Sequence, residues 1–242
     1  MKAIVLSYDV NQGFSELTYK MYKAWENCPL IFRIPWNKSR PSYFEGRANV
    51  ELIQCKEDIH STMKALLKGI DDEEWVFWCI DDRFPKEINA EKLNALYAYV
   101  NTNPDFDSIK LFRWQERLKD VHEVLGMRYF FQELSHPKDI AYGYWHHQFC
   151  RAKYLRKLFS KEDIHTIWKF NKDLLSDGSF KDFKILVPFE NIITFGEPCI
   201  GGKITPEAIE YLKRYNCPIP ELELATRNVN FRKENAIPWK HD

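Results

Sequence analysis

Apolar and polar positions repeat with two different periods over the first half of this 242-residue chain. Lys2 to Tyr8 reads as a strand. After a turn at Gly13, the residues Phe14, Leu17, Met21 and Trp25 fall three or four apart, the spacing of one helix face. Leu30 to Ile34 and Val50 to Gln54 are short strand patterns, and Ile59, Met63, Leu66, Leu67 and Ile70 form the apolar stripe of a second helix. Trp75 to Ile80 is apolar throughout and too brief for a helix, which predicts a strand covered on both faces. A helix around Asn89 to Val100 and a strand over Ser108 to Phe112 follow. Strands alternating with helices in this way predict a layered α/β domain, in which the carboxyl ends of the strands form the binding edge.

The second half is less periodic. Met127 to Leu134 reads as a strand, and Phe149, Ala152, Leu155, Leu158 and Phe159 stand at helical spacing over Gln148 to Phe159, interleaved with Arg151, Lys153, Arg156 and Lys157. Ser160 is placed to cap a further helix bearing Ile164, Ile167 and Trp168. Lys184 to Val187 and Asn191 to Phe195 read as strands. Thr205-Pro206 supplies an N-cap and a first-turn proline for a helix toward Tyr215. We expect a single domain over 1–242, with a nucleotide-binding part (1–112), an acceptor-side part (113–217) and a C-terminal extension (218–242).

Composition narrows the function classes. Lys plus Arg equals Asp plus Glu at 35 each, so no global field recruits nucleic acid. Met1-Lys2 leads directly into a short apolar run and then Asp9, which predicts a cytoplasmic protein. The six cysteines include no C-x-x-C pair and read as scattered small core residues.

Candidate chemistry gathers where the apolar run stops. WVFWCIDDRF passes from Trp75–Ile80 straight into Asp81 and Asp82, two like charges at a strand exit. Such a pair either faces water or holds a hard divalent cation, whose remaining positions stay open to water and substrate phosphates. Asp9 and Asn11 end the first strand on the same edge, and Arg33 lies near the end of the next. His146 and His147 stand among Tyr142, Tyr144 and Trp145. They can act as base or metal ligand, or simply stack and hydrogen-bond. Trp168 either receives an acceptor or completes an apolar stripe. Gly201-Gly202-Lys203 lacks the Walker context, but it can bring backbone amides and a lysine to a diphosphate.

WVFWCIDDRF, the segment Tyr144 to Leu155 with Ile167 to Asn171, and Gly201-Gly202-Lys203 together resemble the GT-A type of bacterial polysaccharide or lipopolysaccharide glycosyltransferase, over residues 1 to about 215. The resemblance implies a GT-A-like (Rossmann-like) mixed, mostly parallel sheet flanked by helices. It also implies transfer of a sugar from a nucleotide sugar to a glycan or glycolipid hydroxyl, assisted by Mn2+ or Mg2+ on Asp81 and Asp82. On that reading Asp9, Asn11, Arg33, Asp81, Arg83 and Lys203 meet the donor, and Tyr144, Trp145 and Trp168 meet the acceptor. Asp82, His146, His147 and Glu133 are the catalytic candidates, with Asp139 and Asp173 as further carboxylates for a base. The chain departs from the pattern at Arg83, where a third acidic position would extend the motif, and at Asn171, where the related motif ends in glutamate. A nucleotidyltransferase would use similar carboxylates and release pyrophosphate, and a glycan-binding protein on the same scaffold would need no base. A peripheral membrane contact through the basic and aromatic residues between Arg227 and Lys240 is compatible with the sequence.

Overall fold

The computed structural model describes residues 1–26, 28–113, 118–135, 145–160, 176, 178 and 180–226. Its centre is a nine-stranded sheet. β1 (Lys2–Leu6), β2 (Ile31–Trp36), β3 (Val50–Gln54) and β4 (Trp75–Ile80) form a parallel set in the order β3-β2-β1-β4. Beyond β4 the order continues with β9 (Gln148–Arg151), β6 (Ser108–Lys110), β10 (Ile185–Pro188), β8 (Met127–Gln132) and β7 (Leu118–Val124). β9 is antiparallel to both β4 and β6, β10 is parallel to β6, β8 is antiparallel to β10, and β7 is antiparallel to β8. Only β8 and β9 therefore run against the other strands. The sheet is mixed and mostly parallel, as expected.

Both faces are covered, which explains the unbroken apolar run of β4. Ala3, Val5, Trp75, Phe77 and Cys79 point to one side, in one core with α1 (Gln12–Lys23) and α3 (Ala90–Val100). Ile4, Leu6, Val76, Trp78 and Ile80 point to the other, against α2 (Ile59–Leu66) and α4 (Ala152–Leu158). All six residues of β4 are buried, and removing such side chains from water contributes on the order of 1.5–3 kcal/mol each. Three of the helices start where short polar side chains meet free N–H groups. Asp58 accepts from Ser61 N–H at 2.7 Å, Asn89 from Lys92 N–H at 3.0 Å, and Thr205 from Ala208 N–H at 3.1 Å. Thr205 thereby opens α5 (Pro206–Arg214), with Pro206 in its first turn.

Three expectations are revised. Gln148–Arg151 is a buried strand, and the helix begins only at Ala152; helical spacing across 149–159 concealed the change because both faces of β9 are covered. β5 (Phe84–Ile88) emerges directly after the acidic pair and bonds antiparallel to β11 (Ile193–Gly196) in a second, small sheet. Its ring at Phe84 lies on Gly196, where a Cβ would stand 2.2 Å from the ring, so only glycine fits there. β12 (Cys199–Ile200) and β13 (Lys203–Ile204) form a hairpin closed by Gly201 and Gly202 at φ of 56° and 77°. A two-residue turn with both φ positive calls for residues such as these, so the glycines answer first to the hairpin.

Candidate functional site

β4 ends at the carboxyl edge of the parallel set, and Asp81 continues its ladder by one bond, donating its N–H to Leu6 O at 3.1 Å. Side chains alternate along a strand, so Asp81 follows Cys79 onto the α1 face and is buried at 6% exposure. Asn11, at the N-terminus of α1, leaves the helix uncapped and donates from its amide to Asp81 Oδ2 at 2.9 Å. Ser7 also bonds Asp81 and in turn receives the Ser15 hydroxyl at 2.7 Å. Despite these donors, desolvation and then the neighbouring Asp82 push the Asp81 carboxyl up to about 7. Desolvation raises Asp82 as well, with Arg83 offsetting part of the effect. Tyr8 is driven up to about 12 by burial and by Asp81, Asp58 and Asp82. Among the described residues neither Asp81 nor Asp82 forms an ion pair.

Arg83, the departure from the acidic motif, is held by protein groups around the strand end. It donates to Asp82 O at 2.6 Å, pairs with Glu197 at 3.1 Å, and stands 5.9 Å from the Trp145 ring centre. Trp145 is thus brought to the acidic strand end. The β12–β13 hairpin lies against the same place: Cys199 packs on the cluster around Phe84, two residues after Asp82, and burial followed by the charges of Asp82 and Asp81 lifts its thiol to about 11. Lys203, on that hairpin, is half exposed and pairs with Glu223 at 2.6 Å. Lys110, at the end of β6, adds a fully buried lysine to this edge.

Several predicted site residues answer to the fold instead. Asp9 accepts the backbone N–H groups of Asn37, Lys38 and Ser39 at 2.7–2.8 Å. Burial alone would raise its carboxyl; these three bonds outweigh burial and hold it below the ordinary range. Its charge shapes the loop after β2. Arg33 sits within β2, not at its end. It bonds Glu51 at 2.8 Å and the carbonyls of Leu66 and Lys68 at 2.7 and 2.8 Å, closing the C-terminus of α2. His147 is wholly buried. Its Nε2–H donates to Ile80 O at 3.0 Å and its Nδ1 accepts from Tyr22 Oη at 2.7 Å, a neutral tautomer with both nitrogens in use. Desolvation lowers its pKa to about 4. It braces the strand that carries Asp81. His146 is buried against Phe112, with ring centres 5.3 Å apart.

Glu133 is corrected outright. β8 runs against β4, so the residue after Gln132 emerges at the edge where β4 begins, and four strand spacings separate the two, roughly 19 Å. It cannot share a reacting atom with Asp82. Tyr144 and Trp168, with Asp139, Asn171 and Asp173, lie outside the described residues.

Sequence reasoning missed Ser7, Tyr8, Ser15, Lys110 and Glu197. The β1 exit signals Ser7 and Tyr8 as it signals Asn11; Ser15 and Glu197 carry no local signal, because distant chain segments bring them in.

Among the described residues no group of three His, Cys, Asp or Glu side chains is placed to hold a metal by itself. Two adjacent carboxylates fit a cation that completes its shell with diphosphate oxygens and water, and desolvation raises both carboxyls, Asp82 raising Asp81 further.

No family model and no curated protein matches this chain. Solved structures of glycosyltransferase-like outline do. The chain is similar to S. aureus TarS 1–349 at 13% identity and a TM-score of 0.49, over 80% of this chain and 59% of that one, so it spans less than two thirds of that protein's length. It is also similar to LgtC, a galactosyltransferase solved with donor and acceptor sugar analogues, at 14% identity and a TM-score of 0.43, over 91% of this chain and 84% of that one. The architecture is consistent with a GT-A or Rossmann-like fold. That assignment rests on the mixed, mostly parallel, helix-flanked sheet described above, and no residue role passes from those proteins to this chain.

Proposed function

We propose that this chain transfers a sugar from a nucleotide sugar to a hydroxyl of a glycan or glycolipid, with Asp81 and Asp82 holding a divalent cation against the donor diphosphate. The carrying observation is the pair itself: a buried Asp81 beside a partly buried Asp82 at the exit of the central strand, in no ion pair among the described residues, with Asp81 raised to about 7. Like charges brought together out of water are unfavourable until something positive joins them, which favours a ligand site over a solvated strand end. The cation, when bound, neutralises charge on the departing nucleotide. Asn11 and Ser7 orient Asp81, and Ser15 fixes Ser7. Arg83 and Trp145 border the site, with Glu197 setting the guanidinium's direction.

The base in this proposal is neither His147 nor Glu133, for the reasons given, and Lys203 would have to leave Glu223 to reach a phosphate. Incubation with UDP-, GDP-, CMP- and TDP-sugars and Mn2+ should release a nucleoside mono- or diphosphate from one donor class and no pyrophosphate from nucleoside triphosphates. Pyrophosphate release would support the nucleotidyltransferase reading. Absence of both reactions, with glycan binding unchanged in the Asp81→Asn/Asp82→Asn variant, would support a non-catalytic binder.

A further inference from the structure

A second concave feature lies across the sheet from α1, between the exit of β3, the length of α2 and the end of α4. This groove encloses about 840 Å³, and more of its wall is apolar than polar. Met63, Leu67 and Phe159 underlie it, and the stems of Lys56, Lys64 and Lys68 extend the apolar surface toward their charged ends. Arg156 adds a guanidinium, fixed by Asp72 and by the carbonyls of Leu67 and Ile70. No Asp or Glu lines the groove among the described residues.

Several lysines elsewhere in the chain are paired. Lys2 pairs with Glu51, Lys38 with Glu57, Lys92 with Glu190, Lys153 with Glu73, and Lys184 with Asp105. Lys56, Lys64 and Lys68 are exposed and form no ion pair among the described residues. Asp58 feels the charge of Lys56 from outside the groove, but no carboxylate stands in the lining, and three cations on such an apolar, concave wall complement an anion that brings an apolar body with it. A flat bilayer surface does not fill a concavity, whereas a single chain does. The groove is also tied to the carboxyl edge: Asn37, whose N–H is held by Asp9, donates its amide to Cys55 O at 3.2 Å and Lys56 O at 2.9 Å.

We propose that this groove binds a phosphate-headed, single-chain amphiphile, its head among Lys56, Lys64 and Lys68 and its chain along the wall of α2. This site is additional to the donor site and does not depend on sugar transfer. The test is calorimetric titration of the full chain with monomeric dodecyl phosphate at low salt, beside inorganic phosphate, uncharged dodecyl maltoside, and vesicles of phosphatidylglycerol or phosphatidylcholine. We expect one-to-one binding of dodecyl phosphate, clearly tighter than phosphate or maltoside. It should weaken about 100-fold in Lys56→Gln/Lys64→Gln/Lys68→Gln, on the order of fivefold per lysine, and should decline with added salt. The three positions are exposed, so thermal unfolding of the variant serves as the control for folding. Equal binding by dodecyl maltoside or by the folded triple variant, equal binding by inorganic phosphate, or binding to phosphatidylglycerol vesicles alone would each overturn the proposal, as would no binding of dodecyl phosphate at all.

Discussion

At the amino edge of the sheet, Arg151 commits its guanidinium to Phe106 O, Glu73 O, Asn103 and Pro104 O at 2.8–2.9 Å and to the Glu73 carboxylate at 3.3 Å, over the ring of Trp75. Lys153 joins Glu73 to Asp107, and Asp107 accepts from Lys184 N–H at 2.9 Å. At the carboxyl edge, one strand length away, Asp81 and Asp82 stand side by side with raised pKa values and form no ion pair among the described residues, Arg83 offsetting only part of the shift of Asp82. Folding satisfies the first set of charges internally; the second set is oriented by Asn11 and Ser7 but left electrically incomplete. Charges completed within the chain serve the fold, and charges positioned but incomplete mark where a ligand supplies the missing partner.

The largest expected effect tests the amino edge. Arg151→Met should destabilise the protein by about 3–5 kcal/mol, because it leaves the Phe106, Glu73 and Pro104 carbonyls without their donor. Chemical denaturation reads this loss, while the folded fraction keeps any nucleotide response. If stability were unchanged, the network would not be completing the fold.

Next comes the pH dependence of the carboxyl edge. Asp81 is raised from 3.8 to about 7, so the stability it confers is full below about pH 4 and is lost as pH rises through about 7. His147 is lowered from 6.5 to about 4, so its contribution is present above about pH 6.5 and is lost as pH falls through about 4. The two slopes oppose each other between those limits. Asp81→Asn should remove one of them. The variant should exceed wild type in stability at pH 8 by on the order of 4 kcal/mol at most, then lose stability steadily from pH 7 to pH 4. A variant that follows the wild-type profile in thermal melts would mean that Asp81 ionises normally.

A smaller effect separates bracing from catalysis. Tyr22→Phe removes the partner of His147 Nδ1 and should cost about 1–3 kcal/mol, with any transfer activity of the folded protein retained. A selective loss of turnover at unchanged stability would return His147 to the chemistry. Smallest of all, Glu133→Gln should change stability by less than about 0.5 kcal/mol and leave donor turnover at the wild-type rate.

The parts of this account legible in the sequence are those where one local pattern has one physical cause. Six apolar residues in a row require cover on both faces, and Trp75–Ile80 has it. Thr205-Pro206 requires a helix start and opens α5. Asp81 and Asp82 stood out because the run ends on them. What stayed hidden depends on distant partners. Phe149 to Phe159 shows the same spacing whether or not a strand precedes the helix, and only the neighbours β4 and β6 make Gln148–Arg151 extended. Arg33 resembled a ligand arginine until Glu51 and the end of α2 were seen to occupy it. Glu133 looked available because the direction of β8 cannot be read from its own residues.

The central claim is that the Asp81–Asp82 strand end is completed by a cation and a nucleotide. The most direct measurement is a thermal-shift panel of UDP, GDP, CMP and TDP, each with and without Mn2+, on wild type and on Asp81→Asn/Asp82→Asn. One nucleotide should raise the wild-type melting temperature in a manganese-dependent way, by an amount that grows with ligand concentration, and the double variant should show no such shift. A folded double variant with the same manganese-dependent shift, or a wild type that no nucleotide stabilises with or without the metal, would contradict the account.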